Sequence, residues 1–393
     1  MDAADVEWLR SDEGLAATDE AASLLAEMDE LPAQRRLGER YSRVQARALV
    51  ALVAGRRSAA GKFADAASLF CDRASAEQAS GDVAAAHTAL RFAAFDRVAD
   101  LGCGIGGDTL ALARHAHVEA VDRDTGRLAM LAANAAVRGV TDRVEASEGD
   151  IEQWAPGPAL QALWIDPGRR DERGRRFDPE QWAPPLSTAL RLAASVPAAG
   201  IKLAPGIDTD AVPAEGELEF VSVEGRLVEA VLWLGSLVTA PRRATVLPAG
   251  ASIEGEPDRG ATEIAEPSHF FYDPDPGVGR ASLIDVLASR LGARKLDERV
   301  AYLTAEERLN TPFARRFRVL AWLPHSERRL YDQLRAMGAG RVEVMRRASP
   351  IDTNALERRL NEALGRSSGD VMTVALTRLR GRQIALVLER ERD

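Results

Sequence analysis

The sequence predicts an α/β protein: a mostly parallel sheet interleaved with helices, preceded by a helical region and followed by a smaller α/β domain. Three observations predict it. Residues 5–92 carry apolar side chains at spacings of three and four with little Gly or Pro. From about residue 94, short apolar runs alternate with helical stretches. A second alternation follows residue 279.

In order, "AASLLAEM" and "RVQARALVALVAG" read as helices. "RVADLG", "VEAVD", "RVEASEGD", "ALWIDP" and "GIKLAP" read as strands. "GDTLALARH", "GRLAMLAANAAVRG" and a segment around 185–195 read as the helices between them. "LEFVSVEGRLVEAVLWLG" reads as a hairpin about Glu224-Gly225, which adds an antiparallel edge. Residues 241–268 are rich in Pro, Gly and acids and suggest a linker. Beyond it come a helix over 279–292, a strand near 300, strand "RFRVLAWL", helix "SERRLYDQLRAMG" and strand "RVEVMRR". Helix "DTNALERRLNEALG" follows, with Asp352 or Thr353 as N-cap, and strands "VMTVALTRL" and "QIALVLER" close the chain. The expected domains are 1–93, 94–240 and 241–393.

Composition bounds the function. The chain has 393 residues, 46% apolar and 28% charged. No apolar run approaches the length of a membrane span. The start, "MDAADVEWLRSDEG", is acidic and lacks the apolar core of a signal peptide, so a cytoplasmic protein without a membrane partner is expected. Two cysteines, Cys71 and Cys103, make no disulfide framework, and five scattered histidines give no zinc spacing, so no metal is expected. Net charge is −9, unevenly placed. Residues 1–239 hold 25 Lys and Arg against 38 Asp and Glu, −13; residues 240–393 hold 26 against 22, +4. Acidity argues against indiscriminate nucleic-acid binding, and the basic final third leaves room for a local contact surface. Only three basic residues are lysines, a bias typical of GC-rich genomes.

The stretch "VADLGCGIGGDTLALA", residues 98–113, brings in chemistry. Gly102, Gly104 and Gly107 satisfy G-x-G-x-x-G between a strand and a helix, a loop that lets a ligand approach the backbone. Asp122 ends the next strand, where its carboxylate can accept from ribose hydroxyls. A nicotinamide dinucleotide and S-adenosylmethionine both fit so far. Asp100 separates them, because its charge repels a pyrophosphate and attracts an ammonium. Asp150 ends the third strand, where it can accept from an adenine amino group, and Asp166-Pro167 ends the fourth.

Together with the hairpin, these motifs resemble the class I S-adenosylmethionine-dependent methyltransferases over roughly 95–240. The resemblance implies a Rossmann-like seven-stranded sheet with one antiparallel strand. It implies that Asp100, Gly102, Cys103, Gly104 and Gly106 line the methionine end of the cofactor. Asp122 and Arg123 would lie at the ribose, Asp150 and Ile151 at the adenine, and Asp166 with Pro167 beside the methyl-transfer point. A wider resemblance rests on "KFADAASLFCDRASAEQASGDVAAAHTALRF", "DPGRRDERGRRF", "IKLAPGID" and the tail "EPSHFFYDPDPGVGRASL". It points to a bacterial methyltransferase family with a THUMP-like C-terminal α+β domain, distantly similar to RNA guanine methyltransferases. It implies RNA as substrate class. The chain departs from the related Asp-Pro-Pro-aromatic motif, with Gly168 and Arg169 in the last two places.

Lys202, in an apolar strand, is a candidate to bond a substrate oxygen or carboxylate. Arg169, Arg170 and Arg173, in "RRDERGRR", are candidates for phosphate or base contacts. Phe70 and Gln78 are candidates to cover the cofactor. Phe270, Phe271 and Tyr272 read as core before they read as a base-stacking platform. Neither cysteine follows the fourth or sixth strand, which speaks against covalent methylation at pyrimidine C5. The favoured expectation is an RNA methyltransferase. The alternative is methylation of a small molecule or protein, with the C-terminal domain as lid or oligomerisation unit.

Overall fold

The computed structural model describes residues 1–171, 174–176, 178–365 and 369–391. The chain divides into two compact units, residues 1–217 with 228–239, and residues 218–227 with 240–393.

Six helices open the first unit: α1 (Ala3–Leu9), α2 (Asp12–Glu27), α3 (Glu30–Leu37), α4 (Arg43–Ala59), α5 (Arg73–Gln78) and α6 (Asp82–Arg91). The starts of α1, α2, α4 and α5 are capped by side chains, as where Ser42 and Gln45 form a reciprocal capping box at α4. The sheet strands of this unit are β1 (Arg97–Leu101), β2 (His117–Asp122), β3 (Val144–Glu148), β4 (Ala162–Ile165) and β5 (Ala198–Leu203). They interleave with α7 (Thr109–Leu112), α8 (Thr125–Val137) and α9 (Leu186–Ala193). Strands β6 (Glu217–Val223) and β7 (Arg226–Gly235) follow, joined by Glu224-Gly225, both at positive φ. Within the first unit the strand order is β7-β5-β4-β1-β2-β3. All neighbours are parallel except β7 on β5. The five parallel strands therefore end on one edge, and Asp100, Asp122, Asp166 and Lys202 all lie at that edge.

The N-terminal helices share their core with the sheet domain. Leu49, Leu52, Phe63 and Phe70 pack with Ile105 of the glycine loop and Met130 of α8. Asn134, in the otherwise apolar run "LAANAAV", is fully buried and fastens this packing. Its Oδ1 accepts the Phe70 peptide N–H at 2.7 Å. Its Nδ2 donates to the Phe70 and Ile105 carbonyls, each at 3.1 Å. Phe70, one candidate cover for the cofactor, is thus core, with the Arg56 guanidinium over its ring at 5.8 Å. Gln78, the other, is exposed and accepts from Arg127.

The second unit corrects the expected linker. Strands β8 (Arg242–Leu247) and β9 (Ala251–Gly255) occupy it, β8 parallel to β6 and antiparallel to β9. Pro248 and Gly250 belong to the turn between these two strands, and residues 256–268 carry no helix and no strand beyond an isolated bridge at Ile264. The rest is a seven-stranded sheet built from β10 (Phe270–Pro274), β11 (Arg294–Lys295), β12 (Leu303–Ala305), β13 (Ala314–Pro324), β14 (Arg341–Arg346), β15 (Val371–Leu379) and β16 (Arg382–Arg390). Their order is β11-β12-β10-β13-β16-β15-β14. The expected helix over 279–292 is two, α10 (Pro276–Arg280) and α11 (Ile284–Leu291), broken where Ser282 takes positive φ. Helices α12 (Glu327–Ala336) and α13 (Thr353–Leu364) put Leu330, Leu334, Leu356 and Leu360 into one core with Val374 and Val387. Phe271 and Tyr272 are core residues, Phe271 lying 4.7 Å from the Tyr302 ring.

Asn134→Ala leaves three buried backbone groups without partners, and the expected loss of stability is about 3 kcal/mol. Urea denaturation at unchanged m-value measures it. A loss below about 1 kcal/mol would show that this segment finds other partners and is not held by Asn134.

Candidate active site

The glycine loop is shaped by close approach. Gly102 has φ of +89°, and a Cβ there would lie 2.7 Å from the Asp166 carbonyl oxygen. Only a glycine lets the loop after β1 lie against the start of the loop after β4. Ile151 packs beside it, its Cδ1 3.6 Å from that same Cβ position. Gly104, at φ of +56°, faces open space, so its backbone is accessible to a ligand. Gly106 packs on Leu131 and Leu110. Cys103, between them, is buried, and its peptide N–H points at the Val121 carbonyl.

Asp122 stiffens this loop. Its two carboxylate oxygens accept the Gly104 N–H at 2.9 Å and the Asp124 N–H at 3.0 Å. Each retains a lone pair for a ligand hydroxyl. Arg123 beside it is exposed. Asp150 caps the single turn Ile151–Gln153, accepting from the Glu152 N–H and the Gln153 side chain, and is exposed.

Asp100 is 1% exposed. Thr109 Oγ1 donates to its Oδ2 at 2.6 Å, while its Oδ1 is buried with no partner among the described residues. Burial first, then the neighbouring Asp108 charge, holds its carboxyl well above the ordinary range. An orphaned, buried carboxylate oxygen below a glycine cradle fits the ammonium of an amino-acid-bearing cofactor.

Asp166 receives the Lys202 Nζ on its Oδ2 at 3.1 Å, and its peptide N–H binds the Leu101 carbonyl. Lys202 is 4% exposed. Its ammonium also donates to Asp108 Oδ2 at 3.3 Å and to Ser80 Oγ, and lies 3.9 Å from Glu229 Oε2. Burial alone would lower its pKa; Asp108, Asp166 and Glu229 outweigh burial and raise it above the ordinary lysine range. Three carboxylates, those of Asp108, Asp166 and Glu229, gather about one cation.

Pro167 is buried. Gly168 and Ala183 exchange two backbone hydrogen bonds, 2.8 and 3.0 Å, which close the loop between them at its base. Arg169 stands at that base with Nη1 buried and unpartnered among the described residues. Arg173 and the side chain of Arg170 lie outside the described residues.

Ser80, Asp108, Glu229 and Asn134 are the site and framework residues that sequence reasoning passed over. Two of them left a trace. Glu229 is a lone acid in the strand "RLVEAVLWLG", and β5–β7 register pairs Lys202 with Val231, making Glu229 its diagonal neighbour. Asp108 follows the glycine pair directly. Ser80 left none.

Comparison with known proteins agrees with this geometry. Residues 95–181 match the family model for RNA cap guanine-N2 methyltransferase. Residues 314–390 match that for a THUMP domain-like family. A Mycobacterium tuberculosis protein named an uncharacterized S-adenosylmethionine-dependent methyltransferase is 37% identical over 320 residues, 78% of this chain and 86% of that one. The chain belongs to the S-adenosylmethionine-dependent methyltransferases. Two further likenesses bracket it. A Porphyromonas gingivalis W83 crystal structure, provisionally named a methyltransferase, superposes with a TM-score of 0.77 over 97% of this chain and 99% of that one, at 20% identity. An 80-residue segment, 19% of this chain and 18% of the relative, is 35% identical to a 23S rRNA (uracil(1939)-C(5))-methyltransferase of Acidithiobacillus ferrooxidans. Among the described residues no helix is long and apolar enough to cross a membrane, and no group of three or more His, Cys, Asp or Glu is placed to hold a metal ion.

A bound cation favours the ionised form of Asp100, whose carboxyl burial holds well above the ordinary range, so binding S-adenosylmethionine to this methyltransferase is expected to release protons, up to about one per site. Calorimetry in buffers of different ionisation enthalpy reads this directly. Asp100→Asn is expected to abolish the buffer dependence. Buffer-independent heats in the unaltered protein would show that Asp100 does not meet the cofactor's charge.

Proposed function

We propose that this methyltransferase methylates RNA, with Asp166 and Pro167 beside the transfer point and Arg169 holding the acceptor nucleotide. The observation that carries the reading is the Arg169 guanidinium nitrogen Nη1, buried without a partner among the described residues, three residues beyond Asp166. A buried donor on a permanent cation calls for an acceptor from outside the protein, and a phosphate or nucleobase carbonyl supplies one. The RNA methyltransferase and THUMP-like matches on one chain support the same substrate class. A cytoplasmic RNA such as tRNA or rRNA fits a chain with these features.

S-adenosylmethionine, when bound, supplies a methyl group on a sulfonium for in-line displacement. The protein positions the partners. Asp100, the glycine loop, Asp122, Asp150 and Ile151 would hold the cofactor. The Asp166 carboxylate would accept a hydrogen bond from the attacking group and orient its lone pair. The same carboxylate would give the acceptor's proton a path to solvent once the acceptor has been methylated.

Gly168 and Arg169 stand where an Asp-Pro-Pro-aromatic motif would stack a base. Recognition in this reading runs through charge and hydrogen bonds. Covalent attack on a pyrimidine ring fits poorly. Burial pushes the Cys71 thiol up to about 12 and raises Cys103 well above its ordinary value, so neither supplies a thiolate.

Methyl-tritiated S-adenosylmethionine incubated with size-fractionated bacterial RNA tests the reading. Counts in RNA should be RNase-sensitive and fall about 100-fold or more with Asp166→Ala. Arg169→Ala should raise KM for RNA more than it lowers kcat. Counts that survive RNase and travel with protein or small molecules would overturn RNA as the acceptor.

A further inference from the structure

We propose that Ser80, Asp108 and Glu229 are positioning residues that act through Lys202 to hold the Asp166 carboxylate in one orientation. The N-terminal segment is thereby a working part of the methyl-transfer site. The inference rests on the reading of Asp166 given above and adds residues outside it.

The geometry is that of a saturated ammonium. Lys202 Nζ has three N–H groups, and Ser80 Oγ, Asp108 Oδ2 and Asp166 Oδ2 take all three. Nothing is left for a substrate oxygen. Asp166 is the only one of the three partners whose side chain reaches solvent appreciably, 22% exposed against 8% for Asp108. The ammonium is therefore a buried anchor, and Asp166 is its outward-facing end.

Ser80 makes the anchor directional. Its hydroxyl accepts from Lys202 and donates its own proton to Asp108 Oδ2, so Asp108 receives two hydrogen bonds on one oxygen. Its backbone lies against Gly107, where a Cβ would meet the Ser80 nitrogen and oxygen at 2.8 Å. Lys62 holds the same segment from behind, donating to the Ala76 and Glu77 carbonyls at 2.8 and 3.0 Å. Glu229 closes the remaining side of the ammonium from β7 and also accepts from Thr88 of α6. Ser80 and Thr88 both belong to the region ahead of the sheet, so that region touches the anchor twice.

The consequence for Asp166 is geometric. The Lys202 ammonium on β5 holds its Oδ2, and Ser80, Asp108 and Glu229 fix where that ammonium sits. Loosening Lys202 therefore frees the Asp166 carboxylate to turn away from the acceptor, which lowers the rate without weakening cofactor binding.

The chain has three lysines, Lys62, Lys202 and Lys295, so 13Cε-lysine labelling gives three resonances and reads Lys202 without any substrate. Its resonance should stay in the ammonium form well past the ordinary lysine pKa, and should move in Ser80→Ala, Asp108→Asn and Glu229→Gln. In the transfer assay with bacterial RNA, Ser80→Ala should lower kcat about tenfold with KM for the cofactor unchanged. Ser80→Thr, which keeps the hydroxyl, should restore both the rate and the Lys202 resonance. Lys202→Met strands buried carboxylates and tests folding as much as rate, so Ser80→Ala decides. An ordinary titration of Lys202, or wild-type kcat in Ser80→Ala while Asp166→Asn is inactive, overturns the positioning role and leaves the reading of Asp166 standing. Full activity in Asp166→Asn overturns both.

Discussion

The site is organised around a single buried ammonium. Moving a lysine head group out of water costs several kcal/mol unless close anions replace its hydration. Lys202 meets three carboxylates, and each comes from a different part of the first unit: Asp108 at the entry of α7, Asp166 after β4, Glu229 on β7. Ser80 adds a fourth direction, from the segment between α5 and α6. None of these partners is sequence-local to Lys202, so the ion cluster forms only when helices, glycine loop and sheet are assembled. It ties folding of the N-terminal region to completion of the site.

The glycine loop depends on the same assembly. Gly102 lies against the Asp166 carbonyl, so the loop after β1 and the acceptor side of the site have no independent freedom. Asp122 draws Gly104 toward β2, and Asn134 draws Ile105 toward α8 and the Phe70 segment. The loop is thus held from three sides, by two side chains and one backbone contact, rather than by regular structure, because α7, which follows it, is only one turn long. Such a loop can present its peptide groups to a ligand without collapsing onto them.

What the sequence makes legible here is what lies within one strand–loop–helix unit. Asp100, Gly102, Gly104 and Asp122 announce themselves by spacing, and the strand alternation places them on one edge. Lys202 stands out as a charge in "GIKLAP", but its partners lie 27 to 122 residues away, and pairwise distance of that kind has no signature in one sequence. Ser80 and Asn134 look like ordinary members of a turn and an alanine-rich helix. The linker reading failed for a different reason. Composition marks residues 241–268 as a linker, whereas "RRATVL" and "ASIEG" pair as strands about a Pro-Ala-Gly turn and bury Ala244, Val246, Leu247 and Ile253. The covering role expected of Phe70 failed because an aromatic ahead of the sheet can face the cofactor or the core, and only the buried Asn134 clamp decides which.

The charge distribution bears on how an RNA would be met. A chain with net charge −9, and −13 over residues 1–239, repels a polyanion at long range. Binding must then come from a few cations placed close to the chemistry, where a contact outweighs the averaged field. Arg169 is such a cation: the Gly168–Ala183 backbone pairing fixes its root, and the peptide N–H of Arg176 binds its carbonyl. The Arg176 carbonyl in turn accepts from the buried Trp182. An arginine held this way loses little further freedom on binding and presents a planar donor to a carbonyl or phosphate. An aromatic ring at the same position would gain from stacking with any base. The guanidinium gains only where an acceptor oxygen is correctly placed, so on the RNA reading the Gly168-Arg169 pair exchanges general affinity for a geometric requirement on the nucleotide being methylated.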